Sequence, residues 1–107
     1  MLNLDNLNQV TDGDQELLEE LLSTFFQCTR EDILNLKTAV NNQQSGLIAS
    51  LAHRIRGGAA IVGAEQLASL AGDIEYSGKQ ASPERYEQLF LELQNSFKSV
   101  EGLYPDL

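Results

Sequence analysis

Apolar residues recur at helical spacing along almost the whole chain. Leu18, Leu21, Leu22, Phe25, Phe26, Ile33, Leu36 and Val40 fall on one stripe. That is the period of an amphipathic helix, and it predicts a long one ending near Asn41. Ahead of it, the polar cluster Thr11-Asp12-Gly13-Asp14 suits a helix start, with acid placed where the helix dipole favours it. Asn41-Asn42 predicts a stop and restart, because asparagine tolerates left-handed and capping conformations. A second helix carries Ile48, Leu51, Ile55, Ala59 and Val62 on one face. Gly63-Ala64 punctuates tightly, and a third helix with Leu67, Leu70, Ala71 and Ile74 is expected to close at Ser77-Gly78. Ser82-Pro83 opens a fourth with a capping serine and a proline at the first helical position. Tyr86, Leu89, Phe90, Leu93, Phe97 and Val100 mark its buried stripe. Short connections between amphipathic helices make neighbours antiparallel. The expected fold is therefore all-α, an antiparallel up-and-down four-helix bundle. Residues Leu2 to Leu7 are expected to add a short helical arm over one end, and the tail after Gly102 to fray.

Length and charge narrow the function. The chain has 107 residues, near the commonest domain size, so residues 1–107 read as a single domain. Its formal net charge of -9 argues against nucleic acid and anionic membranes, which need a basic footprint. No apolar run is long enough to span a bilayer and no secretory signal opens the chain, so the expected location is the cytoplasm. Cys28 is single. It cannot form an internal disulfide and is expected to be a small buried apolar residue.

The chemistry gathers at residues 52 to 60, A-H-R-I-R-G-G-A-A, which hold the chain's only histidine. At roughly 100° per residue, His53 lies about 150° from the centre of the second helix's apolar sector, on the solvent side. Its neighbours three and four positions away are Ala49, Ser50, Arg56 and Gly57, with Ala60 a turn further on. All but Arg56 are small, whereas a solvated helix face normally carries long polar side chains. Gly57 costs about 1 kcal/mol of helix propensity relative to alanine, and it leaves the imidazole open to a partner. Gly58 points elsewhere, toward a neighbouring helix whose backbone it would let approach. Arg56 offers a guanidinium to phosphate oxygens, or alternatively a salt bridge to an acidic residue of a neighbouring helix. Arg54 points away from His53 and adds to the local field.

His53-Arg54-Ile55-Arg56-Gly57-Gly58-Ala59-Ala60, with Gly63-Ala64 and then Leu67, Ala68 and Glu75, resembles the signature of histidine-containing phosphotransfer (HPt) domains. The likeness runs from the helix after Thr11 to the one ending near Val100. It departs from the family pattern at Arg56, where lysine is usual, and at Gly58, where serine is frequent. The resemblance implies a phosphorelay intermediate with His53 as phosphoacceptor and Arg56 as charge support. The expected partners are response-regulator receiver domains, which bring the Mg²⁺; the chain itself needs no cofactor. A partner-docking surface of Ala49, Ser50, Arg54, Gly57, Ala60 and Ile61 would surround the histidine. The resemblance also implies either a free-standing protein or the C-terminal module of a hybrid sensor kinase, without ATP-dependent kinase activity of its own.

Other chemistry is poorly supported by the residues. One outward histidine without a Glu-x-x-His pattern makes no metal site in a bundle. Cys28 with His53 lacks an oxyanion-hole loop. The glycines from Gly57 to Gly63 follow no strand and lack the spacing of a nucleotide-binding loop. The competing reading is a helical adaptor that binds signalling partners without being phosphorylated.

Overall fold

The computed structural model describes Leu7, Gln9 and residues 11–107, so the expected arm lies outside the described residues except for Leu7, which is helical and fully buried. Four long helices follow: α1 (Gln15–Asn41), α2 (Ser45–Val62), α3 (Glu65–Lys79) and α4 (Tyr86–Gly102). Each packs on the next and α4 returns to α1, which closes the up-and-down bundle. No strand occurs among the described residues. The expected all-α four-helix bundle is the observed fold.

Cap chemistry sets the helix ends. Asp14 is the N-cap of α1, accepting a hydrogen bond from the Leu17 backbone N–H at 3.1 Å. At the end of α2 the Ala64 N–H donates to the Ala59 carbonyl (2.8 Å) and the Gly63 N–H to that of Ala60 (3.2 Å). That is a Schellman motif, with Gly63 in the left-handed conformation (φ 75°). The same paired bonds close α1, Gln44 to Ala39 and Gln43 to Val40. There the left-handed residue is Gln43 (φ 51°), and neither of the expected asparagines takes that role. They close α3 as well, Ser82 to Ser77 and Ala81 to Gly78, with Ala81 left-handed (φ 51°).

Two helix ends differ from those the sequence predicts. Ser77-Gly78 does not end α3: both are helical and buried, and the helix runs on to Lys79. Ser82 makes no side-chain cap; Pro83–Arg85 forms a 3-10 turn that leads into α4.

The core is one cluster drawn from all four helices. Leu22, Phe26, Leu36, Ile48, Ile55, Leu67, Ile74 and Leu93 are almost wholly buried. Phe26 and Phe97 meet edge-on with ring centroids 6.1 Å apart, and Phe25 stands against both. Leu18, Leu21 and Val40 of the expected α1 stripe pack at its margin.

The α2–α3 contact positions the site. Gly78 lies against the Ser45 carbonyl and the Ala49 backbone, Glu75 against His53, and Gly72 against the Arg56 side chain. Three contacts in opposite sequence directions fix an antiparallel register, and at Gly78 the α2 backbone lies close enough that a Cβ would stand 2.9 Å from the Ala49 nitrogen.

Candidate functional site

His53 stands on the outer face of α2 with 62% of its side-chain surface exposed, as its position on the wheel requires. Ser50, Gly57 and Ala60 are exposed around it. A Cβ added to Gly57 would meet nothing within 4 Å, so no packing need explains that glycine. Gly58 turns inward, where a Cβ would lie 3.4 Å from the Phe25 ring. The neighbour it accommodates is a side chain of α1 rather than a helix backbone.

Ala49 departs from its expected place on an open docking surface. It is half-buried, with its backbone nitrogen and Cβ against Gly78. Ile61 and Arg54 are exposed as expected. Arg54 reaches away from His53 to Asp32 on α1, its Nη2 3.4 Å from Oδ1. Desolvation raises the Asp32 pKa above its ordinary value, and the Arg54 charge offsets that only in part. Cys28 is exposed, contrary to the expectation of a buried thiol. It lines an apolar groove of about 200 Å³ between α1 and α2, with Phe25, Asp32, Arg54, Gly58 and Ile61. The groove opens the α1 surface at the point where a fully packed stripe would have covered the sulfur.

Beneath the histidine is a residue whose role the sequence reading left unassigned. Glu75 of α3 keeps only 7% of its side-chain surface exposed, and three basic side chains converge on its carboxylate. His53 Nδ1 is 3.0 Å from Oε2, Lys79 Nζ is 3.2 Å from the same oxygen, and Arg56 Nη1 is 3.2 Å from Oε1. Burial alone would raise the Glu75 pKa; hydrogen bonds from Lys79 and His53 and the charges of Arg56 and Lys79 outweigh it and lower the pKa. The carboxylate is therefore ionised at neutral pH and accepts only.

This decides the imidazole tautomer. Arg56 Nη2 also approaches Nδ1, at 3.2 Å, but a single ring nitrogen cannot both donate to Glu75 and accept from Arg56. An ionised, buried acceptor at 3.0 Å is the stronger partner. We assign the proton to Nδ1, which places the lone pair on Nε2 across the ring. Arg56 then counts as a partner of Glu75, so the structure contains the interhelical salt bridge that was the alternative for this residue.

Two signals for Glu75 are present in the sequence. It lies four residues after Ala71, on the side of α3 that turns inward, and four before Lys79, as an i,i+4 ion pair. A carboxylate at a buried helical position requires partners.

A helical bundle with an oriented, outward histidine on its second helix defines a class. The sequence model of the Hpt domain family matches residues 20–101. The chain belongs to the Hpt domain family, and its function is that of a histidine phosphotransfer intermediate in a phosphorelay. Hpt domains act with response-regulator receivers and occur in hybrid kinases.

Two solved structures share the fold. Histidine-containing phosphotransfer protein B (HptB) from Pseudomonas aeruginosa PAO1 superposes with a TM-score of 0.92 at 23% identity, over 98% of this chain and 91% of that one. The HPT domain from an Hpt sensor hybrid histidine kinase from Shewanella gives 0.80 at 23% identity, over 95% and 88%. No curated protein matches the chain significantly. Among the described residues, no helix is long and apolar enough to cross a membrane.

Proposed function

We propose that His53 carries the phosphoryl group, accepting it from the aspartyl phosphate of one receiver domain and passing it to the aspartate of another. The observation that supports this most is the Glu75–His53 hydrogen bond beneath an open imidazole. The Nε2 lone pair attacks phosphorus while the acyl P–O bond breaks and the aspartate carboxylate leaves with the electron pair. The ring becomes a phosphorylated imidazolium whose Nδ1–H stays on Glu75. Return transfer reverses each bond change.

The reaction asks for position and charge more than for acid–base work. Glu75 supplies position, by holding the ring and its tautomer. Arg56 supplies positive charge one helical turn away. The receiver is expected to bring the Mg²⁺ that neutralises the donor phosphate. Ser50, Gly57 and Ala60 form the shelf on which it would seat, with Arg54, Ile61 and the adjoining groove extending the contact toward α1. Ala49 contributes from below, as packing.

An adaptor that only bound receivers would have no use for an imidazole held in one tautomer by a buried carboxylate, so the adaptor reading is not favoured. The deciding experiment is incubation with a phosphorylated receiver. An acid-labile, alkali-stable label that disappears in His53→Gln supports the proposal. A competent receiver that leaves the wild-type chain unlabelled refutes it.

A further inference from the structure

The antiparallel register sets two pairs of residues across the α2–α3 seam. Glu75 of α3 stands against His53 of α2, and one turn along, Gly72 stands against Arg56. The Arg56 side chain does not stay at its own level. Its guanidinium reaches back a turn, with Nη1 3.2 Å from Glu75 Oε1 and Nη2 3.2 Å from His53 Nδ1. The stem that carries it runs across Gly72: a Cβ there would lie 3.6 Å from Arg56 Cδ, and would meet nothing else within 4 Å among the described residues. Other reasons for a glycine do not apply at this position. The left-handed glycines are Gly13 and Gly63, so α3 asks no special backbone conformation of Gly72. No backbone crowds it, as the α2 backbone crowds Gly78. An interior glycine weakens a helix, and the one neighbour that a side chain here would first touch is Arg56.

We infer that Gly72 is a positioning residue for phosphotransfer: having no side chain, it seats Arg56 across α3 and so fixes the Glu75 carboxylate beneath His53. The inference rests on His53 being the phosphoacceptor and Arg56 its charge support. Arginine has a long stem whose rotamers cost entropy to hold, and about half of this one is open to solvent. A bed along α3 is what restricts it. Held there, the guanidinium takes Oε1 and leaves Oε2 to His53 and Lys79. The two carboxylate oxygens are thus divided between partners on different sides, which holds the carboxylate against turning. Atoms beyond Cβ at position 72 would stand where the stem lies and push the guanidinium outward. A buried carboxylate oxygen would then lose its partner, and the positive charge beside the histidine would move away with it.

The test is single-turnover transfer from a phosphorylated receiver, followed as a function of receiver concentration, with Gly72 varied in three Arg56 backgrounds. Gly72→Ala adds one contact of ordinary length and should lose little of the rate. Gly72→Leu should slow transfer about three- to tenfold, bounded by the loss expected of Arg56→Ala, with the half-saturating receiver concentration unchanged. Gly72→Gln, equally compatible with a helix, takes its place if the leucine impairs folding. The slowing should shrink beside Arg56→Lys, whose compact ammonium needs less room than a guanidinium, and vanish beside Arg56→Ala. A side chain that merely obstructed the receiver would raise the half-saturating concentration and slow all three backgrounds alike. That result, or full-rate transfer in the folded variant, overturns the inference while His53 still takes up phosphate. A wild-type chain that accepts no phosphate overturns the assignment of His53, and this inference with it.

Discussion

Gly78 lies so close to Ala49 that a Cβ placed on it would stand 2.9 Å from the Ala49 backbone nitrogen and 3.0 Å from the Ser45 carbonyl. Neither is a flexible side-chain end that can yield. The spacing of α2 and α3 at this level therefore depends on a hydrogen atom, and so does the reach of Glu75 to His53 one turn away. Gly78→Ala should lower stability by about 1–3 kcal/mol through overpacking. It should also slow phosphotransfer in the fraction that remains folded. Thermal melts paired with single-turnover transfer check both, and a variant with wild-type melting would mean that the helices part without cost.

Gly57 is the opposite case. Its Cβ position is open, so Gly57→Glu should fold with stability equal to wild type or up to about 1 kcal/mol higher, from helix propensity. The new carboxylate would stand one turn from His53, the proposed phosphoacceptor, and repel both phosphate and partner. Circular dichroism melts together with a transfer assay test this; undiminished transfer would show that the shelf need not be bare.

Arg56 is half-exposed, yet it pairs with a buried carboxylate. Arg56→Ala should slow transfer about tenfold, for loss of on the order of 1–2 kcal/mol of charge stabilisation. Arg56→Lys should transfer close to normally. The salt bridge to Glu75 adds an expectation: stability losses in Arg56→Ala and Glu75→Gln should not sum in the double variant, because they remove the same contact. Additive losses would mean that the contact contributes nothing.

Glu75 sets an acid dependence whose sign follows from its lowered pKa. The ionised form is favoured in the folded state, so its stabilisation is present above the ordinary value of 4.5 and is lost as pH falls from there through the folded pKa. Wild type should lose stability more steeply than Glu75→Gln below about pH 4.5, with the two converging in acid. At neutral pH the variant should be about 1–3 kcal/mol less stable, the worth of hydrogen bonds to charged groups. Denaturant melts at pH 7 and pH 3 suffice, and parallel pH profiles would contradict the assignment.

The Schellman turns offer a change remote from the site. Gln43 and Ala81 hold left-handed conformations that glycine adopts without penalty. Ala81→Gly should raise stability by about 0.5–1 kcal/mol, and Gly63→Ala should lower it by about 1–2 kcal/mol. Unchanged melting in both would mean that these turns relax freely.

The bundle was legible because its determinants are local and periodic. The stripes from Leu22 to Leu36 and from Ile48 to Val62 each name their buried face without reference to any other helix. The exposure of His53 followed from the same arithmetic, and so did the open space at Gly57. What could not be read was set by pairs of helices. Glu75 meets His53 only because α3 returns antiparallel at one register, and Gly78 resembles a helix stop until the α2 backbone is placed beside it. Left-handed caps at Gln43 and Ala81 were hidden for a related reason, since packing on either side forces a conformation that the residue type alone disfavours. Cys28 was misplaced because a stripe predicts which face turns inward, and not whether a neighbouring helix fills all the space above it.

The exposed Cys28 has a practical side. It is the chain's only thiol, and it lies in the groove between α1 and α2 whose rim includes Ile61 and Arg54 of the helix that bears His53. A fluorophore or spin label coupled through maleimide chemistry would therefore attach at one position, without engineering the sequence. Placed beside the proposed docking shelf but off His53, such a label would sense a receiver arriving and leaving there, so that association could be timed separately from the chemical step that follows it.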